Sequence, residues 1–261
     1  MRILVSNDDG IHAEGLTALE RIAAIIGDEV WVVAPEVEQS GQGRALTLNA
    51  PLRARRLDER RFAVYGTPTD CVMLAIEDLM DGAMPDLLLS GVNRGQNLAE
   101  DVTVSGTVAA AIQGMTAGIP SIALSQALTT FHDSHTALYE TAVAFGPGII
   151  RKLLEHGWPR DVVMNINFPD LAADQVRGVE VTAQGMRDVA HGLIAHRRTD
   201  PRGRDYYWMG FADRADDAAD GTDLRAIREG RISVTPLHLD LTHRPTMHEL
   251  KKVLGGAPPK S

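Results

Sequence analysis

The first 35 residues constrain the chain most. Residues 2–6 (RILVS) form a short apolar run with β-branched members. Leu16, Leu19, Ile22, Ala23 and Ile26 then recur on one helical face, closed by Gly27, and residues 30–34 (VWVVA) make a fully apolar run stopped by Pro35. Period and length read these as strand, helix and strand. A βαβ unit implies parallel strands joined by a right-handed crossover, so the fold class is α/β with a mostly parallel sheet.

The same reading extends down the chain. Arginine-studded segments at 52–57 and 62–66 predict a hairpin. Thr67-Pro68-Thr69-Asp70 opens a helix, with Thr67 suited to the N-cap, Pro68 to the first turn and Asp70 to the positive end. Strands are predicted at 86–90, 120–125, 162–167, 178–183 and 231–241, and helices at 105–117 and about 135–156, with a short helix and a Pro/Gly/Lys tail at the end. Residues 186–222 break the pattern: they are rich in Arg, Asp and Gly, and they hold Tyr206, Tyr207, Trp208 and Phe211 within six positions. The expected division is a Rossmann-like core at 1–130 and a C-terminal part at 131–261 that completes a three-layer sheet, with an arm around 186–222.

Composition removes several classes. The 26 basic and 35 acidic residues give a net charge of −9, which argues against a nucleic-acid polymer as partner because phosphate contacts need a basic footprint. A small phosphorylated ligand is still allowed, since one metal ion reverses local charge. The single cysteine, Cys71, lies in an apolar helical stretch and reads as a small buried hydrophobe. No lysine precedes Lys152, which excludes a Walker phosphate loop or a lysine Schiff base from the first half. No apolar stretch of signal-peptide length opens the sequence, and no run approaches the roughly 18 apolar residues of a membrane helix. The expectation is a cytoplasmic protein with no membrane partner.

Chemistry collects after the strands. In an open α/β sheet, ligands bind beyond the carboxyl ends of the strands. The first strand here ends in Asn7-Asp8-Asp9-Gly10, the second runs into Gln39-Ser40-Gly41-Gln42-Gly43, and the 86–90 strand ends in Ser90-Gly91-Val92-Asn93-Arg94-Gly95-Gln96-Asn97. Neighbouring strand residues point to opposite faces, so two adjacent acids face one point only where the strand has ended, and Gly10 permits that turn. Two carboxylates about 4 Å apart repel by roughly 4 kcal/mol at an effective dielectric near 20. A hard cation removes the repulsion, and acid, hydroxyl and amide oxygens suit Mg²⁺ or Mn²⁺ better than Zn²⁺. Asp-Asp-Gly is also an ordinary turn, and Asp216-Asp217 reads that way; the position after a first buried strand distinguishes Asp8 and Asp9.

Val104-Ser105-Gly106-Thr107-Val108 opens the small-residue helix. It reads as an anion site of backbone N–H groups and hydroxyls, or as a plain cap; beside a cation on the same rim, a phosphate is the better reading. His238, in an alternating strand, is more often structural than catalytic by itself. His132 with His135, and His191 with His196, lack metal spacing and read as surface residues. The aromatic cluster at 206–211 suits a nucleobase or a second subunit, and Arg44 faces substrate or solvent.

Together these residues resemble the SurE survival-protein family of 5′/3′-nucleotidases. The resemblance spans nearly the whole chain through ILVSNDDG, APEVEQSGQGRALTL, SGVNRGQN, DVTVSGTVAAAIQG, NINFP, DPRGRDYYWMG and GTDLRAIREGRISVTPL. It implies one divalent ion per subunit, Mg²⁺ or Mn²⁺, on the positions Asp8, Asp9, Ser40 and Asn93. It implies phosphate near Asn97, Ser105, Gly106 and Thr107, and a histidine like His238 close by. It also implies domain-swapped homodimers, often paired into homotetramers, with 186–222 as the exchanging arm. Ala99 stands where many members have glycine, Val104 where an aromatic is common, and Gln113 where an acid is common.

The expected activity is metal-dependent hydrolysis of nucleoside 5′- and 3′-monophosphates, with short polyphosphate as a further substrate by resemblance. Asp8 is the candidate to orient or deprotonate the attacking water, and His238 to protonate the leaving oxygen. An aspartyl-phosphate hydrolase fits less well, because Gly10 stands where that class carries a second aspartate and no early lysine is present. A non-catalytic nucleotide-binding module is the rival outside enzymes. A dinucleotide enzyme lacks its Gly-x-Gly-x-x-Gly turn after the first strand.

Overall fold

The computed structural model describes residues 1–128, 139–187, 193–211 and 218–255. The opening unit is β1 (Arg2–Ser6), α1 (Glu14–Ile26) and β2 (Glu29–Pro35), with β1 and β2 parallel. The arginine-rich hairpin follows as β3 (Ala54–Asp58) and β4 (Arg61–Val64). Its arginines serve the sheet edge: Arg56 lies over the Phe62 ring, Arg60 over Trp31, and Arg61 pairs with Glu20. Then come α2 (Pro68–Leu74), β5 (Leu87–Arg94), α3 (Gly106–Thr116), β6 (Ser121–Gln126), α4 (Tyr139–His156) and β7 (Val162–Phe168). The remainder is β8 (Val179–Val181), β9 (Leu193–Thr199), β10 (Asp205–Phe211), α5 (Asp223–Arg228), β11 (Ile232–His238) and α6 (Arg244–Leu254).

Nine strands form one sheet in the order β3-β4-β2-β1-β5-β6-β7-β11-β8. The stretch from β4 to β7 is parallel throughout. β3 is antiparallel to β4 and β11 to β7, while β8 is parallel to β11. Strand alternation divides the core in two. Ile3 and Val5 pack with Leu16, Leu19 and Ile22 of α1 and Ile150 of α4 on one face. Leu4 and Val33 pack with Cys71 and Val72 of α2 and Val108 and Ala111 of α3 on the other. Leu16, Leu19 and Ile22 are fully buried, each worth about 2 kcal/mol of removed apolar surface. Burial also pushes the Cys71 thiol well above its usual pKa, which makes it inert.

The α2 start is a reciprocal cap: Thr67 Oγ1 accepts from the Asp70 N–H, and Asp70 Oδ2 accepts from the Thr67 N–H. β5 runs four residues beyond its expected end at Ser90. It passes through a bulge at Gly91, where the register against β6 shifts between Ser90 and Asn93. Gly91 has φ +128°, and a Cβ there would fall 2.1 Å from the Leu124 carbonyl oxygen, so only glycine carries the strand through.

Residues 193–211, expected to lack regular structure, form an antiparallel hairpin, β9–β10, as a two-stranded sheet of its own. α5 has no counterpart in the sequence reading because six residues are too few to display a helical period. The expected helix residues 135–138 and the Pro/Gly/Lys tail at 256–261 lie outside the described residues, as do His132, His135, His191 and Asp216-Asp217. Among the described residues no helix is long and apolar enough to cross a membrane.

Candidate active site

β1 has β2 on one side and β5 on the other, so the chain's crossovers diverge from the gap between β1 and β5. That gap is the switch point at which such sheets bind ligands. Beyond Ser6, Asn7 builds the turn: its Nδ2 donates to the Gly10 carbonyl at 2.9 Å, and its Oδ1 accepts from the Gly10 N–H at 3.2 Å. Gly10 has φ +103°, a region closed to most L residues. The turn releases Asp8 and Asp9 from strand alternation. Asp8 is 4 % exposed and packs onto the start of α3. Thr107 Oγ1 donates to Asp8 Oδ1 at 2.5 Å, and the Thr107 N–H also donates to this carboxylate. A Cβ on Gly106 would fall 2.7 Å from Asp8 Cβ, so this contact requires glycine. Across the gap, Asp9 Oδ2 accepts from the Arg94 N–H at 3.1 Å.

Burial raises the Asp8 pKa against the opposing Thr107 bonds. Burial, then the charge of Asp8, push Asp9 up to about 7. Glu38 adds repulsion to both, while the Arg94 N–H and, less strongly, the Arg94 charge oppose the rise at Asp9. Among the described residues neither carboxylate has an ion-pair partner, and no three His, Cys, Asp or Glu side chains converge as a metal group. A buried Asp8 and a half-buried Asp9 that repel each other, with only the weak opposing charge of Arg94, form a site that a cation would stabilise, with neutral oxygens completing its shell. Asn93 Nδ2 donates to the Gly95 carbonyl at 2.9 Å, which leaves the carboxamide oxygen for a cation. Ser40 is exposed and its hydroxyl donates to Glu38 at 2.9 Å, so it is not turned to the acids. Its loop is nonetheless fastened over them, through the Gln39 N–H to the Asp8 carbonyl at 2.8 Å and the Gly43 N–H to the Val104 carbonyl at 3.1 Å.

On the anion side, Ser105 is the N-cap of α3, accepting from the Val108 N–H at 3.0 Å. The helix start that the sequence offered to a phosphate is therefore already turned to Asp8 through Thr107 and Gly106. Asn97 is held on three sides. Its Nδ2 donates to Ser125 Oγ at 2.9 Å, its N–H to Asn167 Oδ1 at 2.9 Å, and its carbonyl accepts from Asn165 at 2.8 Å and Asn167 at 3.1 Å.

Comparison with known proteins decides the family. The family model described as survival protein SurE matches residues 3–191. The chain is 66 % identical over 260 residues to the 5′-nucleotidase SurE of Caulobacter vibrioides, covering 100 % of this chain and 98 % of that one. It is 62 % identical to the 5′-nucleotidase SurE of Phenylobacterium zucineum, covering both in full. The chain belongs to the SurE family. The crystal structure of the SurE protein from Aquifex aeolicus superposes with a TM-score of 0.82 at 38 % identity, covering 97 % of this chain and 99 % of that one.

The departures from the SurE pattern acquire local meanings. Ala99 has φ +53°, the left-handed conformation that favours glycine. Val104 is half exposed beside Gly43. Gln113 Oε1 accepts from Arg44 at 3.0 Å, and Arg44 also reaches Thr116 at 3.4 Å, so this arginine lies along α3 and not in the crevice.

His238 is a correction. β11 is antiparallel to β7, and His238 pairs with Val162 at the start of β7, while the rim lies at Phe168. Six residues of strand put it about 20 Å from the rim within this chain. It is exposed, and its Nδ1 accepts from the Asp240 N–H at 3.1 Å. His196, on β9, is exposed as expected.

Several site residues escaped sequence reasoning. Glu38 and Arg94 sit beside the acids in a linear stretch already under suspicion. Tyr139 lies against Gly15, and burial, then the charge of Asp9, raises its phenol pKa. Asn165 and Asn167 carried a usable signal: two asparagines at i and i+2 put polar groups on one face of an apolar strand.

Proposed function

We propose that this chain is a divalent-metal-dependent phosphomonoesterase that hydrolyses nucleoside 5′-monophosphates, and 3′-monophosphates with them, to nucleoside and phosphate. The observation that carries the reading is the Asp8–Asp9 pair at the β1–β5 switch point, Asp8 buried and Asp9 half-buried, with the start of α3 packed against it. The high identity to relatives named 5′-nucleotidase supports the same class.

Asp8 and Asp9, with the Asn93 carboxamide oxygen and the Ser40 hydroxyl turned in from Glu38, would hold one Mg²⁺ or Mn²⁺. Bound there, the ion supplies Lewis acidity toward a phosphoryl oxygen and toward a water. Thr107 fixes the orientation of the Asp8 carboxylate, and Asp8 orients the attacking water. Ser105 accepts from Val108 and keeps its own proton to donate to a phosphoryl oxygen. Asn97 Nδ2 has a second N–H beyond the one given to Ser125. These donors, with the positive end of α3, favour the charge that builds on the equatorial oxygens.

The β9–β10 hairpin is the self-association surface in this reading, exchanged between copies in a homodimer and paired in a homotetramer. Tyr207, Trp208 and Met209 are each at least 59 % exposed, and alternation spreads them over both faces. A two-stranded hairpin wet on both faces is marginal in water without a partner.

The test is phosphate release from nucleoside 5′- and 3′-monophosphates with Mn²⁺, Mg²⁺ or EDTA, for the parent and Asp8→Asn. Metal-dependent release that is lost in Asp8→Asn is expected. Nucleotide binding without release under any metal would make the rim a binding module and overturn the reading.

A further inference from the structure

Residues 98–104 join Asn97 to Ser105, the two ends of the proposed phosphate site, and this segment is gripped from the far half of the chain. Asp223 is fully buried; its Oδ2 accepts from the Ala99 N–H at 2.8 Å, and its Oδ1 accepts from the N–H groups of Gly185 and Leu224, each at 2.8 Å. Gln184 Nε2 donates to the Ala99 carbonyl at 3.0 Å. Arg187 is 8 % exposed; its Nη1 donates to the Leu98 carbonyl at 3.3 Å and pairs with Asp101 at 2.7 Å. The Arg187 N–H donates to Glu100 at 3.1 Å. Leu98, Ala99, Ala218 and Leu224 close a small apolar core beneath these bonds.

Ala99 is the centre of the grip. Its left-handed backbone is unfavourable for a residue with a Cβ, and both of its backbone polar groups are held from outside its own segment. The gripping residues come from either side of the hairpin: 184–187 lead toward β9, and 218–224 follow β10. The two roots are tied to each other by the Ala183 N–H to the Gly221 carbonyl at 2.9 Å and the Asp223 N–H to the Ala183 carbonyl at 3.0 Å.

We infer that Asp223, with Gln184 and Arg187, forms a set of positioning residues for phosphate recognition: by clamping Ala99 they set where Ser105 stands relative to Asn97. Asp8 is held by Thr107 inside α3 and Asp9 by the Arg94 N–H, neither of them in the clamped segment 98–104, so the clamp acts first on substrate affinity and much less on the metal ligands. The inference rests on reading the rim as a phosphomonoesterase site.

The experiment is steady-state kinetics on a nucleoside 5′-monophosphate with saturating Mn²⁺ for the parent, Asp223→Asn, Gln184→Ala and Arg187→Lys, together with inhibition by inorganic phosphate and a Mn²⁺ titration. Asp223→Asn puts an amide nitrogen where a carboxylate faced N–H donors, and KM should rise about tenfold, the worth of one good hydrogen bond. Gln184→Ala should raise KM about threefold, and the inhibition constant for inorganic phosphate should rise in step in both. The value of kcat should stay within about twofold and Mn²⁺ half-saturation should be unchanged. Parent KM in both variants, or a loss spread equally over KM, kcat and Mn²⁺ affinity, would overturn the clamp. Should Asp223→Asn fail to fold, Gln184→Ala and Arg187→Lys decide on the same criteria. A parent with no metal-dependent release would instead overturn the phosphomonoesterase reading, so the two failures are separable.

Discussion

The rim between β1 and β5 and the β9–β10 hairpin are opposite solutions to placing function on a fold. At the rim, polar and charged groups are buried: Asp8, Asn97, Ser105 and Thr107 are all at most 7 % exposed, and most of their hydrogen bonds are met inside the chain. In the hairpin, apolar groups are exposed: Trp208 and Met209 are 63 % and 64 % accessible on a two-stranded sheet that has no second layer among the described residues. Each carries a local cost. Burying like charges is unfavourable until a cation neutralises them, and exposing aromatic surface is unfavourable until another surface covers it. Regions that are unfavourable in isolation are those whose ligand or partner completes them.

The comparison breaks first at Asp8. Asp8→Asn should reduce phosphate release by at least about a thousandfold, since it removes a proposed metal ligand and the group aimed at the water. In EDTA the same variant should unfold at a higher temperature than the parent, because a repelling buried charge is gone. Substantial turnover, or a lower melting temperature in EDTA, would contradict the account of the rim.

Next come two acids whose pKa values are shifted in opposite directions. Asp9 has its folded pKa raised from 3.8 to about 7, so between those values the folded state holds a proton that the unfolded state has lost. Metal-free stability should therefore fall as pH rises from about 4 to 7, by on the order of 2 kcal/mol, and Asp9→Asn should flatten that slope. Asp70 is the contrast. Burial raises its pKa, but the bonds from Thr47 and Thr67 prevail and hold it below its usual value. Its contribution is present above the unfolded pKa and lost as pH falls through the folded one. Asp70→Ala should cost about 2 kcal/mol near neutral pH through loss of the cap and the Thr47 bonds. Urea titrations in EDTA at pH 5 and pH 8 read the Asp9 slope, and a further titration below pH 4 reads the loss of the Asp70 contribution; equal slopes in the parent and Asp9→Asn would dissolve the contrast.

The hairpin supplies the third test. Replacing Tyr207 and Trp208 with alanine should weaken self-association about tenfold or more in sedimentation equilibrium and change stability at low protein concentration by no more than about 0.5 kcal/mol. Association equal to the parent's would remove the hairpin as the covered surface. The smallest effect is Ala99→Gly, which relieves a left-handed alanine but adds unfolded-state freedom, for a net gain of about 0.5 kcal/mol in denaturant midpoint. A loss above about 1 kcal/mol would mean that the methyl group packs in the small core beneath the clamp to more effect than its backbone costs.

Legibility followed locality. The α/β class, the first βαβ unit and the cap on α2 could be read because apolar period, chain punctuation and capping residues lie within a few positions of one another. The acids could be placed at a rim because Asp8-Asp9 directly follow the first buried strand. β5 was cut short because Gly91 looks like a stop, whereas here it carries the strand through a close approach to Leu124. The hairpin was missed because a sheet wet on both faces shows no alternation of apolar and polar residues.

By itself the sequence determined the parallel sheet, its two packed faces and the cluster of polar segments at the strand ends, all consequences of short-range periodicity and of where glycine and proline interrupt it. The tertiary structure alone decided which groups meet. It turned α3 onto Asp8 across 99 residues, set Ala99 under Asp223 across 124, and carried His238 to the opposite end of the strands from the rim by reversing β11. The physical reason is that a buried polar group must find a partner wherever the fold brings one, and hydrogen-bond complementarity between distant segments leaves no period in the chain.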